Sequence, residues 1–323
     1  SGEKSFAEIM LHSADWYAEK GIRFIAGDAA SSIDRSRKQV HTEKGEIVAY
    51  DRLILATGSK PFVPPIPGAE LEGVISFRDI QDVNRMLDYC KTRQNTVVIG
   101  GGLLGLEAAY GLKQQGMNVT VLHLMDRIMD RQLDMKASQM LKKSIEDKGI
   151  RIITEANTEE LLGIDGHVTQ LRLKDGTVLD ADLVVFAVGI RPNKTLAEQA
   201  GLRCNRGVLV NDTMQTYDPS IYAVGECIEH RGQTFGLVEP LWGQAFICAT
   251  HLAEHGRLTF KAPTVPTQLK VSGCDVFSAG NFEPQDDFED IVLNDEKRQI
   301  YKRIIIQQDK VIGAVLFGDT EDG

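Results

Sequence analysis

"VVIGGGLLGLEAAYGL", residues 97–112, reads as a strand, a glycine turn and a helix. The apolar run 96–99 stops at Gly100-x-Gly102-x-x-Gly105, and a helical pattern opens at Leu103. Each glycine has its own reason in that setting. Gly100 permits the tight turn, Gly102 lets backbone approach a pyrophosphate, and Gly105 allows close packing of helix on strand. The helix start adds free N–H groups and the positive end of a dipole, which together favour phosphate. A dinucleotide site at Gly100, Gly102, Leu103, Leu104 and Gly105 is the reading that this context predicts. The competing one is a glycine-rich turn that only packs.

Outward from this stretch, strand and helix patterns alternate. The spacing predicts a strand over 119–122, an amphipathic helix over 134–148 and a closing apolar strand in "LVVFAVG" (183–189), which is a Rossmann-type arrangement. Val188 and Gly189, at the end of that strand, complete the predicted nucleotide set. Segments between 152 and 178, with Asp-Gly turns at 165–166 and 175–176, predict an antiparallel insert. Upstream, Ser5 to Glu8 has capping-box form and opens a short helical region ending near Gly21. "IRFIAG" (22–27) and "KQVHTEKGEIVAY" (38–50) predict a hairpin. "DRLILATGSKP" (51–61) reads as a buried strand and tight turn, and "PFVPPIPG" (61–68) as a linker. Three strand-like runs after residue 289 predict an antiparallel meander.

The residue that selects between phosphorylated and unphosphorylated dinucleotides sits at the end of the second strand, about 20 residues after the glycine turn. Here that strand ends in His123, with Arg127 four residues on, and no carboxylate is at the strand end. The pair could welcome an extra phosphate, or His123 could bond ribose or water while Arg127 is a solvated charge, so NADH and NADPH both stay open. Glu107, read as lying on the first helical turn, is favoured there by the dipole alone, and is also a candidate acceptor for a nicotinamide carboxamide.

Composition excludes several function classes. With 323 residues, 42% apolar and 25% charged, the chain is that of an ordinary globular protein with room for two or three domains. A formal charge of −10 repels polyanions, so no nucleic-acid partner is expected. No apolar stretch approaches the roughly 18 residues of a membrane span, and none is expected to enter a membrane. Cys90, Cys204, Cys227, Cys248 and Cys274 form no CxxC pair, which fits reduced thiols in a cytoplasm. Ser1-Gly2 reads as an artificial start. His251 and His255 have the spacing of a zinc pair but lack a third ligand, so surface histidines are expected and no metal site. The acidic run 283–290 reads as a solvated loop, and Cys227 as a packed thiol.

Two further apolar runs, "LILATG" (53–58) and "IYAVGE" (221–226), stop at small-residue turns on either side of the Rossmann unit. At this spacing they resemble the later flavin-contacting strands of flavoproteins with two dinucleotide-binding domains. "EPLWGQAFICATHL" (239–252) resembles that family's helix beginning beside the flavin ring. With "GIRPN" (189–193), "GVLVNDTMQTYDPSIYAVGEC" (207–227) and "IYKRIIIQQDKVIGAVLFGDT" (300–320), the chain resembles the pyridine nucleotide-disulfide oxidoreductase-like flavoproteins, and within them the flavin module of assimilatory NAD(P)H nitrite reductase large subunits.

The resemblance implies an α/β fold: a Rossmann-type NAD(P)-binding domain (93–212) inserted in an incomplete FAD-binding domain (1–92 and 213–259), then a small antiparallel C-terminal domain (260–323). It implies flavin contacts at Ala56, Thr57, Gly58, Gly225, Glu226, Pro240 and Leu241, with Glu226 where an Asp is commoner. The family's N-terminal FAD fingerprint is not in this sequence, so weak FAD binding is expected, along with an unpaired edge on the strand 53–56 open to another chain, a homodimer among the outcomes. The implied activity is hydride transfer from NAD(P)H to FAD. The electrons go to a downstream or separate acceptor: siroheme and a 4Fe-4S cluster for nitrite reduction to ammonium, in domains absent here. Alternatives are a rubredoxin or ferredoxin reductase, an NADH oxidase-like flavoprotein, or a nucleotide-binding scaffold unable to hold FAD. No side-chain acid or base is required, so no catalytic residue is named.

Overall fold

The computed structural model describes residues 6–256, 258–263, 266–271, 273–283 and 287–323. Ser1-Gly2 and Ser5 of the expected capping box lie outside the described residues, as do 284–286 of the acidic run. The chain forms two compact units, residues 1–59 with 192–261 and residues 60–191 with 262–323. No helix among the described residues is long and apolar enough to cross a membrane.

The second unit is built on a five-stranded parallel sheet, in the order Val74–Ser76, Leu183–Phe186, Asn95–Ile99, Asn118–Leu122, Arg151–Ile153. The helices Leu103–Gln114 and Met135–Glu146 follow the strands as the alternation predicts. All four residues of Leu183–Phe186 are buried, as a parallel strand covered on both faces requires. The antiparallel insert is present as Thr158–Ile164, His167–Leu173 and Val178–Asp180, with Asp165 and Gly166 both at positive φ in the first Asp-Gly turn. Residues 151–153, partly assigned to the insert from sequence, extend the parallel sheet instead. Val74–Ser76 and the helix Ile80–Cys90, capped reciprocally by Asp79 and Asp82, were not legible as such.

Five antiparallel strands make the C-terminal sheet, two more than expected: Thr267–Val271, Cys274–Gly280, Lys310–Phe317, Ile300–Gln307 and Glu289–Asp295 in spatial order. Glu289 and Asp290 of the acidic run thus belong to a strand rather than a loop. Val276, Tyr301, Val315 and Phe317 share one buried cluster with Leu106, Ala109, Leu141 and Ile145. The last residues therefore pack into the nucleotide unit's core, and the unit boundaries fall elsewhere than the sequence boundaries at 93, 213 and 260. Asp134 ties the two sheets: its carboxylate caps the helix through Ala137 N–H (3.0 Å) and accepts from Tyr301 Oη (2.7 Å) and Arg303 Nη1 (3.2 Å).

In the first unit, Leu53–Leu55 pairs in parallel with Ile221–Ala223. The strand expected to lack neighbours is thus paired along one edge, although only Leu55 is buried and Ile54 is half exposed. A second small sheet joins Val208–Val210, Ile228–His230 and Gln233–Thr234. The expected hairpin shifts: residues 22–27 form no strand, and Ala30–Asp34, Gln39–Thr42 and Ile47–Ala49 make the antiparallel sheet. Ile22 and Phe24 are exposed, so that alternation had no core face to define it.

Candidate functional site

The glycine turn of the second unit has the geometry its spacing implies. Gly100 has φ +122°, and a Cβ there would meet the Ala187 carbonyl oxygen at 2.3 Å; one on Gly105 would lie 1.8 Å from the Gly100 carbonyl oxygen. Gly102 is different. It caps the helix in extended conformation with no side-chain hydrogen bond, and nothing lies within 4 Å of its missing Cβ. The open side of the turn therefore belongs to the residue assigned to phosphate approach, and the first amides at Leu103 and Leu104 carry no side-chain cap. Leu104 is exposed and Leu103 half-buried. Gly189, at φ +105°, also faces open space, while Val188 packs into the second apolar cluster.

Glu107 is not on the first turn. It is the fifth residue of the helix, beyond the strongest influence of the dipole, and desolvation raises its pKa above the ordinary glutamate value. His123 and Arg127 are already engaged. Gly101 N–H donates to His123 Nδ1 (3.0 Å), and His123 Nε2 lies 3.2 Å from Asp130 Oδ1. Arg127 donates to the Leu133 carbonyl (3.2 Å) and pairs with Glu283 (2.6 Å) and Asp126 (3.5 Å). Neither is the free cation that an extra phosphate would need.

In the first unit the two predicted turns are brought together. Because Leu53–Leu55 and Ile221–Ala223 run in parallel and in register, Ala56-Thr57-Gly58 and Gly225-Glu226 leave their strands side by side at the carboxyl ends, where open α/β sheets bind ligands. Ser59 Oγ donates to Glu226 Oε2 (2.7 Å). Asn193 closes the first turn, with its N–H to the Gly58 carbonyl (2.9 Å), its amide to the Thr57 carbonyl (3.2 Å) and its carbonyl accepting from Thr57 Oγ1 (2.6 Å). Gly58 (φ +64°) and Gly225 (φ +91°) both have open space on the Cβ side.

The helix Val238–Leu252 starts without a side-chain cap, with Pro240 buried and Leu241 half-buried in its first turn. Its Gln244 is fully buried: Oε1 accepts from Gly225 N–H (2.8 Å), and Nε2 has no hydrogen-bond partner. A buried orphan donor is rare, and one beside two open glycine turns fits a ligand that brings acceptors. Sequence reasoning missed Gln244, Ser59 and Asp130; a lone polar residue in an apolar helix was the one signal available for the first.

Three of the five thiols are shielded by burial. Cys227 is fully buried beside the Val224 carbonyl, and burial pushes Cys204 and Cys248 up to about 11. His251 bonds Tyr222 Oη (3.0 Å), and His255 lies past the helix end, so the two do not share a helical face.

The comparisons agree with this geometry. A family model described as pyridine nucleotide-disulphide oxidoreductase matches residues 2–244, and one for the rubredoxin NAD+ reductase C-terminal domain matches 266–323. Nitrite reductase [NAD(P)H] of Bacillus subtilis is 48% identical over 322 residues, covering 100% of this chain and 40% of the relative. The assimilatory nitrate reductase electron transfer subunit of the same organism is 42% identical, covering 99% and 42%. The chain thus spans about two fifths of the length of these curated relatives. A crystal structure of a ferredoxin reductase from Rhodopseudomonas palustris superposes with a TM-score of 0.87 at 26% identity, over 98% of this chain and 79% of that one. With the glycine turn, the paired strand ends and a model match over most of its length, the chain belongs to the pyridine nucleotide-disulphide oxidoreductase family.

Proposed function

We propose that this chain is the NAD(P)H-oxidising flavoprotein part of an assimilatory nitrite reductase. The observation that carries the reading is the uncapped, sterically open helix start at Gly102 beneath a turn that only glycine can make. FAD held by the first unit would supply the chemistry that links two-electron oxidation of NAD(P)H to a one-electron acceptor. The chain's own residues bind and orient. The amides at Leu103 and Leu104 receive the pyrophosphate, the turn at Gly189 leaves room alongside, and Glu107 is an acceptor for the nicotinamide amide. On the first unit, Ala56, Thr57, Gly58, Gly225 and Glu226 line the flavin side, Gln244 offers its unused N–H, and the start of the helix at Pro240 and Leu241 supplies a positive dipole end.

The acceptor is proposed to be siroheme and a 4Fe-4S cluster in further domains, consistent with the longer nitrite reductase relatives. A second reading, a reductase for a separate carrier such as rubredoxin or ferredoxin, is favoured by the C-terminal match and the ferredoxin reductase likeness. The test is to add FAD and then NADH or NADPH anaerobically to the purified chain and follow the flavin absorbance. Bleaching supports the oxidoreductase, and subsequent reduction of added rubredoxin or ferredoxin at catalytic rates favours the second reading. Nucleotide binding without flavin uptake reduces the chain to a scaffold and overturns the proposal for it.

A further inference from the structure

We propose that Asp130, held by His123, is the carboxylate that reads the adenosine ribose, so that this chain takes NADH in preference to NADPH. The inference rests on the dinucleotide site proposed above and deepens it. The strand end that ordinarily carries the selecting carboxylate carries His123 instead, and the sequence alone leaves either nucleotide open. Tertiary contacts supply the missing acid from a loop. Gly101 N–H can only donate, so His123 Nδ1 must accept, and the ring proton is on Nε2, directed at Asp130 Oδ1.

The same loop is fastened back on the glycine turn by Met129 N–H to the Gly101 carbonyl (2.9 Å), with Met129 at φ +52°. A Cβ on Gly101 would lie 2.9 Å from both His123 Cγ and Ile128 Cγ2, so turn, ring and loop are in contact. Asp130 is therefore held one imidazole away from the backbone that receives the pyrophosphate, and is itself part exposed to solvent. One of its oxygens accepts the hydrogen bond from His123 Nε2–H, and its remaining acceptor capacity suits the paired hydroxyls of an unmodified ribose.

A 2'-phosphate would meet that carboxylate instead of a cation. Arg127, the basic side chain four residues beyond His123, has its guanidinium spent on Glu283, Asp126 and the Leu133 carbonyl, and is only 17% exposed. His123 has no nitrogen left to donate. Like charge opposes the phosphorylated ligand, and the two basic side chains at the strand end, His123 and Arg127, are both occupied, which leaves the exposed Arg131 beside Asp130 as the one cation to be outweighed.

The test uses the full chain and two probes, ADP-ribose and its 2'-phosphate, with affinities measured by calorimetry. The expected result is ADP-ribose binding at least about tenfold more tightly, a gap of the size a single charge-charge contact commonly produces. Asp130→Asn should shrink the ratio to within about threefold, and Asp130→Glu should keep most of it. Raising the salt should narrow the wild-type ratio and leave that of Asp130→Asn unchanged. Equal or tighter binding of the 2'-phosphate to the wild type overturns the proposal, as does a folded Asp130→Asn with an unaltered ratio. The wild-type ratio needs no variant, so a variant that fails to fold does not remove the test. If neither probe binds, the dinucleotide reading falls and this one with it; if both bind alike, only this one falls.

Discussion

The two units use the same device, a parallel strand ending in a glycine turn, with unlike degrees of completion. In the second unit the strands Asn95–Ile99 and Leu183–Phe186 lie inside a five-stranded sheet, and all but Asn95 and Ile99 at the ends of the first are buried. Gly100 and Gly105 are there because backbone occupies the space a side chain would need. In the first unit Leu53–Leu55 and Ile221–Ala223 form a sheet of two strands, Ile54 is half exposed, and Gly58 and Gly225 face open space. Trp242 and Phe246 on its long helix are more than 60% exposed, and Gln244 holds a donor with nothing to receive it. The difference teaches that one glycine turn is fixed by packing within the chain, and the other by φ alone, next to a buried Gln244 N–H that no acceptor among the described residues receives.

The largest effect should come from testing that contrast directly. Gly105→Ala places a methyl 1.8 Å from a carbonyl oxygen and should destabilise the second unit by more than about 3 kcal/mol in urea unfolding. Gly58→Ala meets no atom and is strained only by its φ of +64°, so about 1 kcal/mol is expected. Equal losses would erase the distinction. Gly102→Ala isolates binding from packing: stability should stay within about 1 kcal/mol while nucleotide affinity falls sharply, since only the ligand side is filled.

Next in size is Asp134→Ala, which removes a helix cap, leaves buried Tyr301 Oη without its acceptor and takes one of two carboxylate partners from Arg303, which keeps Asp290. About 3 kcal/mol should be lost from the second unit, with the C-terminal sheet losing hydrogen-exchange protection first. A loss confined to about 1 kcal/mol would mean that this sheet is held by apolar packing alone. Gln244→Met removes the orphan donor and also the acceptor for Gly225 N–H, two changes of opposite sign. Stability should move by less than about 1 kcal/mol, while the rise in thermal midpoint produced by added FAD disappears.

The smallest effect is in pH. Asp212 is held far below the usual carboxylate range by hydrogen bonds from Arg231 and His230, and Asp218 and Glu229 are also lowered, by hydrogen bonds that outweigh their desolvation. For such groups the folded pKa is below the unfolded one, so their stabilisation is complete above about pH 5 and fades as pH falls through the folded values. Glu107 has the opposite sign: its raised pKa means stability is complete below the unfolded value and diminishes as pH rises through the folded one. Acidification should therefore cost the first unit stability through Asp212, Asp218 and Glu229, read as loss of exchange protection at Ile228–His230 as pH falls below about 5.

The readable parts of the sequence were those where a local pattern has one physical solution. The Gly100 to Gly105 spacing, the 3.6-residue apolar repeat of 135–146 and the Asp165-Gly166 turn each specify their own geometry without reference to anything distant. Where residues 22–27 alternate with no buried face, the same pattern predicted a strand that is not there. Val74–Ser76 was hidden for the converse reason, being three residues long and a strand only because Leu183–Phe186 lies beside it.

From the sequence by itself came the Rossmann unit, the start of the helix at Leu103 and the pair of strands that end in small residues, because period and glycine placement act within a few residues. Tertiary structure alone decided that the final sheet shares the second unit's core, that Gln244 keeps an unspent N–H, and that His123 donates a hydrogen bond to Asp130. Those facts depend on which atoms meet across 7 to more than 160 positions of chain, and hydrogen-bond partners at such separations leave no periodic trace in the order of residues.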